Sequence, residues 1–146
     1  AGWRLAIAGT GPLADELMAK YNPSNFVGYV AGDALKAMID RASVVVVPSE
    51  WYENCPMSVL EAMAYGKPVV GSRMGGIPEL VEDGRTGLLY EAGNVDELTA
   101  ALDRLMSSAE LRKQMGMAGR QRVETAYSID SHNAGLMKIY KSILGA

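Results

Sequence analysis

Apolar residues along this chain follow two rhythms, short continuous runs and longer stretches at helical spacing, with turn glycines falling between them. That alternation predicts repeated strand, turn and helix units, the signature of parallel βαβ crossovers. WRLAIAG predicts a strand, and GPLADELMAKY a helix opened by Pro12 near its first turn. FVGYV predicts a second short strand, and DALKAMIDRA a second helix with Leu35, Met38, Ile39 and Ala42 at helical spacing. SVVVVPS is the clearest strand, because a run of valines suits a strand covered on both faces.

The segment ENCPMSVLEAMAY leads into a helix ending at Tyr65, with Gly66 just past the end and Pro68 preventing continuation. KPVVGS predicts the next buried strand, MGGIPELVEDGRTG a loop-rich crossing with a short helical turn, and LLYEA the final strand. NVDELTAALDRLMSS predicts an amphipathic helix capped by Asn94 or Asp96. The remainder is expected to be helical, with breaks near Gly119 and Ser128, so that residues 104–146 form a helical tail. The expected fold class is α/β, a Rossmann-like parallel sheet flanked by helices, in a single domain over 1–146.

Composition narrows the function. With 146 residues, 49% of them hydrophobic, the chain has the size for one domain with a sizeable core. A formal net charge of −3 argues against a general nucleic-acid binder, which would carry a basic surplus. The longest apolar runs fall well short of the ~18 residues a spanning helix requires. The first residues lack the pattern of a signal peptide, so a cytoplasmic location is the default. Cys55 has no second cysteine to pair with, and with His132 the sole histidine no metal-binding set is expected. From Arg104 onward basic residues outnumber acids, which suits either a solvated helix face or contact with anionic lipid or another domain.

Ligands of open parallel sheets sit beyond the carboxyl ends of the strands, where helix N-termini present unpaired N–H groups. Three glycine-bearing or polar turns follow predicted strand ends: Gly9 to Pro12, Ser49 to Glu53, and Ser72 to Gly76. GTGPLA satisfies a dinucleotide fingerprint nominally, yet the acid expected at the end of the second strand is missing from FVGYV. A nicotinamide-dependent oxidoreductase is thereby disfavoured, while Gly9 and Gly11 still suit close backbone approach to a ligand, or a plain tight turn.

The two carboxylates of ENCPMSVLE, Glu53 and Glu61, demand separate accounts. Ser58 and Glu61 have the spacing of a capping box, which explains Glu61 structurally and leaves Glu53 unexplained. Two acids beside a natural anion site make poor phosphate ligands, because like charges repel. They suit hydroxyl groups on either side of a phosphate, the layout of a sugar nucleotide, with capping plus an exposed acid as the bland alternative. Trp51 and Tyr52 could stack on a sugar or simply pack at a rim, and the Cys55 thiol has no neighbouring base to activate it. The methionines read as ordinary core filler.

These residues carry a family resemblance. PSEWYENCPMSVLEAMAYGKPVVGSRMGGIPELVEDGRTGLLYEAGNVDELTAAL resembles the C-terminal, donor-binding domain of the group 1 retaining glycosyltransferases of GT-B architecture. Its Glu-x7-Glu signature falls at Glu53 and Glu61, and the EAMAYGKPVV, GGIPELV and DGRTGLLY segments follow in order. WRLAIAGTGPLADEL and FVGYV look like the family's earlier strands.

The resemblance implies that Glu53 contacts donor-sugar hydroxyls near the reacting carbon and that Glu61 binds the nucleotide ribose. It implies that backbone N–H groups around Cys55, Met57, Ser58 and Val59 hold sugar hydroxyls and diphosphate, that Gly9 and Gly11 allow close approach, and that the base lies near Tyr29 and Val30. The donor would be a nucleoside diphosphate sugar, with no cofactor and no metal. By comparison with the family pattern, a first strand and helix carrying a diphosphate-neutralising arginine and lysine, and an N-terminal acceptor-binding domain, are expected upstream of this chain. It is expected to be a fragment of a longer enzyme, weak in nucleotide binding and inactive alone, with Arg73 a partial substitute for the missing cations or an exposed loop residue. Peripheral membrane contact of the parent stays open, as does a noncatalytic sugar-nucleotide-binding module.

Overall fold

The computed structural model describes residues 2–145; Ala1 and Ala146, the ends of the expected 1–146 domain, lie outside the described residues. The chain divides into two compact units, Ala1–Met38 and Ile39–Ala146.

The first unit pairs β1 (Ile7–Ala8) in parallel with β2 (Phe26–Gly28), with α1 (Ala14–Lys20) as the crossover. The strand expected over WRLAIAG thus shrinks to two residues. The helix also starts later than expected. Ala14 N–H donates to Gly11 O at 3.0 Å, which places Pro12 second in a tight turn, the position its fixed φ favours, rather than in the first helical turn. β2 ends at Gly28, whose φ of +70° turns the chain out of the ladder, so Tyr29 and Val30 lie beyond the strand. α2 (Gly32–Arg41) follows, and the boundary between the units falls inside it.

The second unit is a three-stranded parallel sheet in the order β3-β4-β5, with β3 at Val45–Val47, β4 at Val69–Ser72 and β5 at Gly87–Tyr90. β4 runs in the middle, with Val46 opposite Val70 and Val70 opposite Leu88. Successive strand residues point to opposite faces, so Val69 and Val70 serve two separate cores. Val69 joins Val47, Val59, Ala62, Met63, Ile77, Leu80 and Val81. Val70 joins Leu88, Tyr90, Leu105 and Met115. The valine run divides likewise, Val45 packing on the first cluster and Val44 on the second, as expected for a strand covered on both faces.

Helix α3 (Met57–Ala64) connects β3 to β4 and ends as its sequence predicts. Gly66 adopts φ +65°, its N–H donates to Met63 O, and Lys67 N–H donates to Ala62 O, the two bonds of a Schellman motif. The short α4 (Ile77–Leu80) lies between β4 and β5, and α5 (Val95–Met106) is capped by Asn94, whose side chain accepts from Glu97 N–H.

α6 (Ala109–Ala126) runs straight through Gly119, where a break was expected. Gly119 is there for packing: a Cβ on it would press on Met63 of α3, and one on Gly116 would overlap the carbonyl of Gly66. The break comes at Ser128, which caps α7 (Ile129–Leu144). The tail expected over 104–146 is therefore of two kinds. Leu105, Met115, Gly116 and Gly119 are buried, whereas no residue of α7 is.

Candidate functional site

The carboxyl ends of β3 and β4 build the site together. β3 ends at Val47, and Pro48 to Cys55 form a loop that drops into α3. Two groups from the segment after β4 pin that loop. Ser72, with no exposed surface, donates its hydroxyl to Ser49 O at 2.6 Å, and Gly76 N–H donates to Glu53 O at 2.7 Å. Side chains at Gly75 or Gly76 would overlap the backbone of Glu53 and Asn54, and Gly75 also holds φ +54°. Glycine is required there because backbone meets backbone.

Glu53 is half-buried, and one of its carboxylate oxygens, Oε1, accepts two hydrogen bonds: from Ser49 Oγ at 3.0 Å and from Trp51 Nε1 at 3.1 Å. An open cleft of about 390 Å³ is lined by Pro48, Ser49, Glu50, Trp51 and Glu53, a volume at the lower end of the ~300–1,000 Å³ usual for small-molecule sites. Glu50 faces a smaller neighbouring cleft together with Tyr90. Burial, and then the charge of Glu50, raises the Tyr90 hydroxyl above its ordinary pKa.

The expected capping box does not form. The residue capping α3 is Pro56, which offers no side-chain hydrogen bond, and Ser58 is already the second helical residue. A capping serine needs extended backbone, and proline at 56 supplies that conformation two residues earlier (φ −69°, ψ 104°). Ser58 and Glu61 are both exposed, and among the described residues the Glu61 carboxylate has no hydrogen-bond partner. The first-turn N–H groups of Met57 and Ser58 have no intrahelical acceptor by the geometry of a helix start.

Two predicted ligands change role. The Val59 N–H donates to Pro56 O at 3.0 Å and its side chain is fully buried in the core, so it is a packing residue and not a free donor. Arg73 is not a free cation either. Its guanidinium is paired with Asp83 at 2.5 Å and with Glu91 at 3.4 Å, which ties the end of β4 to the turn before β5 and the residue after it. Cys55 is an exposed free thiol on the loop before Pro56.

Gly9, Gly11, Tyr29 and Val30 belong to the first unit. Gly9 N–H donates to Gly28 O at 2.7 Å, which joins the ends of β1 and β2. A Cβ at Gly9 or Gly11 would meet nothing within 4 Å, so the space beside both is open, and the φ of +136° at Gly9 favours glycine in its own right. Tyr29 is 78% exposed and Val30 half-buried.

Sequence reasoning placed Ser49 and the Ser72 to Gly76 turn at candidate strand ends but did not foresee that Ser49, Ser72, Gly75 and Gly76 hold the Glu53 loop. The adjacent glycines three and four residues beyond a buried strand were a visible signal, but the partners across the strand ends, Ser49 O for Ser72 and the Glu53 backbone for Gly75 and Gly76, leave no mark in local sequence.

Among the described residues no group of three or more His, Cys, Asp or Glu side chains could hold a metal ion, and no helix is long and apolar enough to cross a membrane.

The family model of the glycosyl transferases group 1 matches residues 1–122. The chain belongs to the group 1 glycosyl transferases. It is 36% identical over 126 residues to the sulfoquinovosyl transferase of Arabidopsis thaliana, a match covering 83% of this chain and 24% of that protein. The sucrose-phosphate synthase of Thermosynechococcus elongatus superposes with a TM-score of 0.80 at 28% identity, over 94% of this chain and 37% of that one. Anabaena HepE, solved in complex with UDP, shares the fold with a TM-score of 0.78 at 22% identity, over 89% of this chain and 36% of that one. The chain thus spans between a quarter and two fifths of these relatives. Its parallel sheets flanked by helices are those of a GT-B glycosyl transferase, and membership of this family leaves the oxidoreductase alternative without support.

Proposed function

We propose that this group 1 glycosyl transferase chain binds the donor, a nucleoside diphosphate sugar, for transfer of its glycosyl unit with retention of anomeric configuration. The observation that carries this reading is the pair of carboxylates flanking the start of α3: Glu53, held in place by the loop before the helix, and Glu61, exposed and unpartnered on the helix itself. Without a capping box, the side chains of Ser58 and Glu61 make no hydrogen bond among the described residues.

In this reading the N–H groups of Met57 and Ser58 and the helix dipole receive the diphosphate, Glu61 accepts the ribose hydroxyls, and Glu53 faces the transferred sugar. Electrostatic stabilisation does the chemical work. The helix end takes up charge on the departing diphosphate while the Glu53 carboxylate opposes the positive charge that develops on the sugar ring, and a protein-held metal is not required. The acceptor and its binding domain belong to a longer protein, and this chain by itself binds nucleotide weakly and transfers nothing. HepE, a distant structural relative whose solved complex contains UDP, supports the choice of nucleotide as ligand class.

Calorimetry with UDP, GDP and ADP, and with the corresponding glucose diphosphates, tests the reading. Binding of one base series is expected, weakened about 10-fold or more in Glu61→Ala for nucleotide and sugar nucleotide alike, because the lost hydrogen bonds are to a charged group. The absence of binding by every one of these ligands would sink it.

A further inference from the structure

The two oxygens of Glu53 are not equivalent. Oε1 receives both Ser49 Oγ–H and Trp51 Nε1–H, at 3.0 and 3.1 Å, which fills the two lone-pair sites of that atom. No hydrogen bond to Oε2 is present among the described residues. We infer that Ser49 and Trp51 are positioning residues that lock the Glu53 carboxylate through Oε1 and leave Oε2 as its single acceptor for a hydroxyl of the transferred sugar. The inference rests on the assignment of Glu53 to that sugar.

Three features of the molecule carry it. Both donors come from the same loop as Glu53 and line the same cleft, so they act on the carboxylate where a ligand would meet it. The loop is itself pinned at Ser49 O by Ser72 and at Glu53 O by Gly76, so the donors are held at fixed positions and do not merely follow the acid. Trp51 is 74% exposed, which removes core packing as the reason for a large aromatic there. A tryptophan nitrogen can only donate, so the contact orients the carboxylate and cannot compete with it for the ligand's proton.

A carboxylate on a flexible side chain gains little from one hydroxyl, since ordering its rotamers offsets much of the bond. Two donors on one oxygen perform that ordering before the ligand arrives. The consequence is selective: the sugar's contribution to affinity falls when the lock is removed, and the nucleotide's does not.

Two measurements decide it. First, in the proton–nitrogen NMR spectrum the indole signal of Trp51 is expected to move in Glu53→Ala and stay put in Glu61→Ala, with Trp3 as the internal control. An indole signal indifferent to Glu53 overturns the inference, whatever nucleotides do. Second, Trp51→Phe keeps a ring and removes the donor, and Ser49→Ala removes the other. Each is expected to weaken UDP-glucose, or the sugar nucleotide of the base that binds, by about 3- to 10-fold while the bare nucleotide changes less than about 2-fold. The double variant is expected to lose no more than Glu53→Ala, because the three residues act as one unit. Equal losses for nucleotide and sugar nucleotide, or no loss for either, overturn positioning. A chain that binds no nucleotide but keeps the Glu53-dependent indole signal retains the lock and loses the donor reading, so the two failures are distinguishable.

Discussion

The first unit, residues 1–38, and the second, residues 39–146, are held together by different means. No described side chain of the first is buried, and Leu5, Leu13 and Val27 stay exposed beside a two-stranded sheet of five residues. Its shape rests on local devices: the Gly11 to Ala14 turn, the Asn22 cap on the turn at Pro23–Asn25, and the Gly9 to Gly28 hydrogen bond. The second unit buries Met63, Ile77, Leu105 and Met115 on two faces of a sheet. The candidate carboxylates sit on the second. A side chain that must meet a ligand at a set distance gains from a scaffold whose packing leaves no alternative position. The glycines of the first unit at 9 and 11 have open space beside them, and Gly9 holds its turn by its local φ.

The sharpest test of this contrast is a pair of truncations. Met63→Ala is expected to destabilise the second unit by about 3 kcal/mol, the usual cost of emptying a packed core site, whereas Leu5→Ala, exposed, is expected to shift stability by less than about 0.5 kcal/mol. Chemical denaturation of both variants reads the difference, and similar losses would mean that the first unit has a core after all.

Next comes the latch on α6. Arg122 donates to the carbonyls of Leu80 and Glu79 at 3.0 and 2.9 Å, donates to the Tyr127 hydroxyl and pairs with Glu82. Arg122→Ala removes the guanidinium donor to Leu80 O and leaves Glu79 O with the Tyr127 hydroxyl alone, and a loss of about 2 kcal/mol in thermal or urea unfolding is expected. No measurable change would show that solvent replaces these bonds freely.

Gly75→Ala joins the contrast to the site. Its Cβ would overlap the Glu53 backbone at a positive φ, so a loss of about 1.5 kcal/mol is expected, together with weaker binding of sugar nucleotide than of bare nucleotide. Gly11→Ala, with open space around it, is the matched control in the first unit and should leave stability within about 0.5 kcal/mol.

The smallest effects separate two asparagine caps. Asn94 caps α5, a twelve-residue helix on the core, and Asn94→Ala should destabilise by about 1 kcal/mol. Asn22 caps a three-residue turn in the first unit, and Asn22→Ala should be felt by a few tenths at most. Circular dichroism during melting checks both, and equal effects would contradict the division.

Much of this was legible from residues alone. The four valines, the Gly66 stop, Pro68, and the Asn94 start announced their elements because each acts within a turn of itself. The pair of Glu53 and Glu61 stood out for the same reason. What failed were judgements that local sequence leaves degenerate. Ser58 and Glu61 have capping-box spacing, yet Pro56 takes the cap because its ring already holds the chain extended. Gly119 resembles a helix break, yet it is the flat place where α6 meets Met63. Local sequence leaves Arg73 as either a stand-in cation or an exposed loop residue, and it is exposed and paired with Asp83 and Glu91, ten and eighteen positions on.

By itself the sequence determined the βαβ order, the positions of the buried strands and the placing of two acids around one helix start. These follow from hydrophobic period and backbone preference, which act over a few residues. Only the tertiary structure decided which groups hold Glu53 and which of its oxygens is free. The bonds from Ser72 and Gly76 cross from one strand end to another, and such contacts exist only once parallel strands have paired and brought their carboxyl ends to a common edge.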